Sequence, residues 1–127
     1  MPLVAQVFAV LAAAFHVLFF ILESITFTQP SVAKRFGLTS PEQIAAVRPM
    51  AYNQGFYNLF LALGIVAGLA LVASGSTDAG RAIVLFACAS MVGAGLVLLS
   101  TNRRFARSAA IQAVPPLVVI ALALLIR

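Results

Sequence analysis

The sequence predicts an all-α protein, a bundle of four transmembrane helices with short interfacial helices in the first cytoplasmic loop. Three observations predict it. Of the 127 residues, 63% are hydrophobic and only 9% are charged, whereas a soluble domain carries about 25% charged residues. Apolar runs close to the ~20 residues that cross a hydrocarbon core recur four times. The basic residues fall between those runs, where positive charge orients a membrane protein. A chain of this length makes one domain, residues 1–127, with spans expected at about 3–27, 50–73, 80–101 and 108–126.

The same observations exclude several classes. The net charge of +5 is not a nucleic-acid footprint, because it sits in loops between apolar runs. Cys88 is alone inside one such run, so neither a disulfide framework nor a thiol–metal cluster is expected. No Walker, Rossmann or zinc-binding pattern occurs, and no cofactor or metal is expected.

Span 1 begins without a preceding Lys or Arg, and Phe15–Ile21 is bulky throughout. It therefore reads as a retained span rather than a cleaved signal peptide. Its interior carries His16 and Glu23, seven residues apart and hence on one helix face. Ionisable groups in a span are costly and mark candidate functional positions. A lone histidine could hold haem only with a second axial partner or an open position.

Residues 28–50 form the one long loop. Pro30 opens a short helix that Gly37 ends. Ser40-Pro41-Glu42-Gln43 reads as an N-cap with Pro at N1 and Gln at N3, a capping box. A second short helix through Val47 is expected, with Pro49 marking re-entry into lipid. Phe36, Leu38 and Ile44 would face bilayer or bundle, and Lys34, Arg35 and Arg48 the headgroups.

Span 2 opens on Tyr52-Asn53-Gln54-Gly55-Phe56-Tyr57-Asn58, five polar-tipped side chains in seven residues. In a helix, Asn53, Tyr57, Gly64 and Gly68 form one stripe, polar at one end and small at the other. Gly64-x-x-x-Gly68 would let a neighbouring helix approach, and buried amides need partners across helices. Ser74–Asp78 is a turn by composition. Cys88, Gly95 and Asn102 repeat at seven along span 3, and Ala89 and Gly93 add a second small face. The loop Asn102–Arg107 carries three arginines. In span 4, Ser108 and Gln112 lie one turn apart, and Pro115-Pro116 frees carbonyls that something must satisfy.

Counting charge sets the orientation. Lys34, Arg35, Arg48, Arg103, Arg104 and Arg107 occupy the first and third loops, against Arg81 and Arg127 on the other side. Both termini are therefore expected outside and both basic loops in the cytoplasm. Glu23, the stretch from Asn53 to Asn58 and Gln112 would then share the cytoplasmic end. This nominates Glu23, Asn53, Gln54, Tyr57, Asn58, Gln112 and His16 as ligand-binding residues. Arg103, Arg104 and Arg107 would attract an anionic headgroup. Glu23 is expected to take a hydrogen bond from Asn53, Gln54, Tyr57 or Asn58.

Phe15-His16 and Phe19-x-x-x-Glu23, Asn53-Gln54-Gly55-x-Tyr57-Asn58-x-Phe60-Leu61-Ala62, and Gln112-x-x-Pro115 resemble a family of small bacterial four-helix membrane proteins classed as a domain of unknown function. The resemblance covers nearly the whole chain, and its Asn-Gln-Gly-x-Tyr-Asn motif is its most specific part. It implies a four-helix bundle in the bacterial inner membrane and no established activity. Some relatives carry the label "epimerase", but nothing in this chain resembles a sugar-nucleotide site. Two positions depart from the family pattern. Phe27 stands where a tryptophan is frequent, and Pro116 where a small residue follows the proline.

Three functions compete. The first is a polar site that binds or transports a small amphipathic molecule or lipid headgroup; transport with four spans would call for a homodimer. The second is a structural subunit of a larger membrane complex, packed through Gly64/Gly68 or Gly93/Gly95. The third, and the one least supported by residues, is an enzyme using Glu23 for isomerase-like acid–base chemistry with His16 or Tyr57 assisting.

Overall fold

The structure, a computed structural model, describes residues 1–126; Arg127, counted above for orientation, lies outside the described residues. All elements among the described residues are helical. Helix α1 spans Leu3–Phe20 and runs on into a π-helical turn, Ile21–Ile25. Helix α2, Pro30–Ala33, leads into a 3-10 turn, Lys34–Phe36. Helices α3, Pro41–Ala73, and α4, Thr77–Thr101, follow. A 3-10 turn, Arg103–Phe105, then precedes α5, Ala106–Leu125. Four helical segments are long and apolar enough to cross a membrane: Leu3–Ile25, Pro41–Ala73, Thr77–Thr101 and Arg103–Leu125. The protein is thus a multi-pass, all-α membrane protein, as its composition implies.

The contacts divide into two units, one made of Met1–Phe15 with the chain from Leu61 onward, the other of His16–Phe60. In the first unit the core is small. Ala9, Ala12, Ala13, Ala62 and Ala87 surround Ile65, Val84, Cys88, Met91 and Val119. Lipid gives no hydrophobic drive for helices to associate, so close van der Waals packing between small residues does that work. Two contacts show how close. A Cβ on Gly80 would strike the Gly68 carbonyl oxygen and lie 2.7 Å from Val72 N. One on Gly95 would lie 2.8 Å from Ala113 Cβ.

The Gly64-x-x-x-Gly68 expectation is half right. Gly68 is in tight contact, but a Cβ on Gly64 would meet only Ala87 Cβ, at 3.9 Å. Gly93 and Ala89 face outward, and a Cβ on Gly93 would meet nothing within 4 Å. Spacing identifies small residues but does not say which of them a neighbour covers. At the start of α4, Arg81 donates a hydrogen bond to the Ala123 carbonyl oxygen in the last turns of α5. A cation is favourable at a helix C-terminus, where carbonyls lack intrahelical partners. Pro115 and Pro116 are both buried inside α5, which runs through them unbroken.

In the second unit, the capping box forms as the sequence indicates. Gln43 N donates to Ser40 Oγ at 3.2 Å, while Gln43 Oε1 accepts from Thr39 N at 2.9 Å and Ser40 N at 3.4 Å. Gly37 ends the first short helix with φ +79°, the left-handed conformation that glycine adopts without steric cost. The loop folds over its own small core, where Phe27 is buried against Phe36 with ring centroids 5.4 Å apart.

The expected break at Pro49 does not occur. Helix α3 passes through it, so the second short helix and span 2 are one element of 33 residues. An interior proline removes one backbone hydrogen bond and strains one turn, at about 3 kcal/mol. The Val47–Tyr52 stretch has no glycine or turn pair to supply another conformation, and a break would expose several more backbone groups. A helix of this length is about 50 Å long, against a hydrocarbon core of about 30 Å. Counting ~20 residues back from Ala73 puts the hydrocarbon boundary near Gln54. Residues before it extend beyond the hydrocarbon, and nearly all of Pro41–Met50 is exposed.

Candidate functional site

The site lies in the second unit, where the end of α1 meets the first half of α3. Its geometry begins with the backbone. Residues Ile21–Ile25 adopt a π-helical turn, and Thr26 N donates to the Ile21 carbonyl oxygen, five residues back, at 2.9 Å. A π turn holds one residue more than an α turn over the same stretch and redirects the side chains within it. Such turns are rare and occur often at functional positions. Glu23 is at the centre of this one.

Asn58 Nδ2 donates to Glu23 Oε1 at 2.7 Å, a bond between residues 35 apart in sequence. Asn58 is buried, at 4% exposure, and Glu23 is partly buried. Asn58 is four residues past the estimated hydrocarbon boundary, about 6 Å along the helix. A bond of this length to a buried amide is a strong constraint on both side chains.

A second bond locks the same turn. Ser24 Oγ donates to the Tyr52 carbonyl oxygen at 2.7 Å. Gly55 makes that approach possible. A Cβ there would collide with Ser24 Oγ and sit 3.0 Å from Ser24 Cβ and 3.1 Å from Ser24 N. The π turn and α3 therefore meet backbone to backbone at Gly55. Around them the rings of Phe20 and Phe56 pack edge to face, with centroids 5.1 Å apart, and Phe56 also touches Tyr52 and Phe60.

The covered face of α3 in this unit is Ala51, Gly55 and Asn58, at spacings of four and three. It is not the Asn53–Tyr57 stripe. Asn53, Gln54 and Tyr57 are exposed, and of the four donors expected to reach Glu23 only Asn58 does. The reason is steric. The π turn can come close only over the two smallest residues of the stretch, Ala51 and Gly55, and that choice turns Asn58 inward and Asn53 outward. Tyr52 and Tyr57 fall on the exposed side near the boundary, where amphipathic rings are favourable.

His16 is fully buried, with its ring edge-on to Phe19 at 5.5 Å between centroids. Gln112, partly buried, and Arg103, Arg104 and Arg107, all exposed, belong to the other unit. There Asn102 Oδ1 accepts from Arg104 N at 2.9 Å and shapes the turn that carries the arginines. Among the described residues, no group of three or more His, Cys, Asp or Glu side chains is arranged to hold a metal ion.

The sequence assigns no contact to Gly55, Ser24 or Arg81, although Gly55 stands in the Asn-Gln-Gly-x-Tyr-Asn motif and Arg81 in the charge count. Gly55 had a usable signal, since an isolated glycine inside a helical pattern marks close backbone approach. Ser24 and the π turn had none.

A family model described as "Protein of unknown function (DUF1304)" matches residues 10–125. No curated protein and no solved structure matches the chain.

Proposed function

The chain belongs to the DUF1304 family of proteins of unknown function, and from that premise we propose that it binds the polar end of a small amphipathic molecule or lipid headgroup at Glu23 and Asn58. One observation carries this reading. A carboxyl group is held partly buried by a buried amide, on a π turn that reaches it through a bare glycine. Three separate costs meet there: partial desolvation of a charge, an irregular backbone turn, and a glycine inside a helix. Gln54, exposed one helical turn before Asn58, would contact the rest of the headgroup, while Asn53 and Tyr57 are exposed further round α3. Arg103, Arg104 and Arg107 would attract an anionic group at the start of α5.

In this reading the chain resides in the bacterial inner membrane, with the site at the cytoplasmic end and both termini outside. Reporters fused at Ser76 and at the C-terminus should read external, and one at Ser40 cytoplasmic. An external reporter at Ser40 would reverse the orientation. Transport, as opposed to binding, would involve a homodimer. It would appear as uptake by reconstituted vesicles that Glu23→Gln abolishes.

The binding reading is tested by a density map of the protein extracted in its native lipid. Ordered non-protein density against Glu23 supports it, and bare, disordered lipid there refutes it. Density from another protein chain at the same place would favour the structural-subunit reading, which the close Ser24–Gly55 packing also supports. Acid–base catalysis has less behind it. The nearest other carboxylate on α3, Glu42, lies in its first turn, about 24 Å along the helix from Asn58.

A further inference from the structure

The Glu23–Asn58 pair has a one-sided chemistry. Its single bond uses the pair's donor and one of its acceptors, Asn58 Nδ2 and Glu23 Oε1. Glu23 Oε2 and Asn58 Oδ1 accept no hydrogen bond from the described residues. Neither of them is a fully enclosed atom. A carboxylate is an acceptor only, and an amide oxygen likewise. What the pair offers a visitor is therefore two oxygens, Glu23 Oε2 and Asn58 Oδ1, against one remaining N–H of the Asn58 amide.

The complement of such a site is a group rich in donors and positive in charge. We infer that the ligand presents a primary ammonium, whose N–H donors bind Glu23 Oε2 and Asn58 Oδ1. This rests on the headgroup reading above and narrows it to a chemical class. A primary ammonium carries three N–H donors on one small cation, enough to engage both oxygens. A trimethylated ammonium has the same charge and no donor at all, so it leaves the acceptors unpaired and is excluded. A bare phosphate or carboxylate headgroup is repelled by Glu23. The apolar part of the ligand has a surface on the same turns of α3, the aromatic row Tyr52, Phe56 and Phe60.

Two sources share this chemistry, an aminophospholipid of the bilayer and a free long-chain amine. The test measures both. Delipidated protein in phosphatidylcholine nanodiscs is titrated with phosphatidylethanolamine, and separately with dodecylamine and with dodecyltrimethylammonium. Binding is read by native mass spectrometry on wild type and on Glu23→Gln, which keeps an oxygen acceptor for Asn58. The inference expects each primary amine to bind wild type at least tenfold more tightly than its trimethylated counterpart, and Glu23→Gln to lose that preference. Preference for phosphatidylethanolamine alone identifies the bilayer as the source; preference for dodecylamine alone identifies a free amphiphile. Equal binding of methylated and unmethylated amines overturns the ammonium inference while leaving a headgroup site intact. No saturable binding of any of these probes, including phosphatidylcholine itself, overturns both. The wild-type comparison stands even if the variant folds poorly.

Discussion

Replacing Gly55 by alanine tests the contact on which the whole site depends. The added Cβ would overlap Ser24 Oγ, which is held on the Tyr52 carbonyl at 2.7 Å. Rotating the hydroxyl away relieves that overlap but gives up the bond, worth about 0.5–1.5 kcal/mol. Rotation does not help the other two contacts, 3.0 Å to Ser24 Cβ and 3.1 Å to Ser24 N. Those require the π turn to move off α3 by a few tenths of an ångström, an overpacking cost of about 1–3 kcal/mol. Against this, alanine in place of a mid-helix glycine gains about 0.5–1 kcal/mol. The balance is a net loss of about 0.5–4 kcal/mol in reversible unfolding from mixed micelles. A double-mutant cycle isolates the cause. Ser24→Ala alone should cost about 0.5–1.5 kcal/mol, and Gly55→Ala should cost clearly less in that background, because the hydroxyl overlap and its bond are already gone. Strictly additive losses would refute the claim that Ser24 and Gly55 meet.

Three further substitutions probe separate parts of the structure. Glu23→Ala leaves the buried Asn58 amide without its partner and should destabilise by about 1–3 kcal/mol, whereas Glu23→Gln, whose amide oxygen still accepts, should stay within about 0.5 kcal/mol of wild type; equal losses would mean that the bond to Asn58 contributes nothing. Gly80→Ala puts a methyl group against the Gly68 carbonyl and should cost at least the ~3 kcal/mol that marks severe overpacking, while Gly64→Ala meets only Ala87 Cβ at ordinary contact distance and should be neutral or stabilising by up to about 1 kcal/mol; comparing their melting temperatures in one detergent decides it. Arg81→Met removes the donor to Ala123 and should cost about 1.5–3 kcal/mol, with faster amide exchange confined to the last turns of α5; unchanged exchange there would show the bond to be incidental.

The architecture was legible because it depends on quantities a sequence states directly. Run length against bilayer thickness sets the number of spans, and the capping residues Ser40, Gln43 and Gly37 act over three or four positions. Such signals involve no distant partner. The reading of Pro49 failed for a related reason. A proline carries a strong local penalty, but whether a helix breaks depends on the alternatives open to its neighbours. Between Pro41 and Ala73 the only glycines are Gly55, Gly64 and Gly68, all well past Pro49, so no turn forms near it.

The site was legible only as a set of residue types. That Glu23 would bond to an amide of the Asn53–Asn58 stretch follows from their chemistry, but which amide depends on the rotation of α3. Asn53 and Asn58 are five residues apart, about 140° around a helix, so covering one exposes the other. Polarity cannot choose between them, since both are asparagine. The choice falls to Gly55, three residues from Asn58 and on its face, because only a residue without a side chain admits the Ser24 backbone at 3.1 Å from where a Cβ would stand. The π turn follows from the same contact. By holding one more residue than an α turn, it brings Ser24 to the Tyr52 carbonyl and Glu23 to Asn58 together. Two bonds to α3 from consecutive residues of α1 would be hard to make from a regular helix, where neighbours point about 100° apart. No local pattern in Ile21–Ile25 encodes that turn, for its stability comes from α3, some thirty residues further along the chain. Glycine positions inside polar helical motifs are therefore the better guide to which face of a membrane helix carries its chemistry, and polar stripes drawn without them can point to the wrong side.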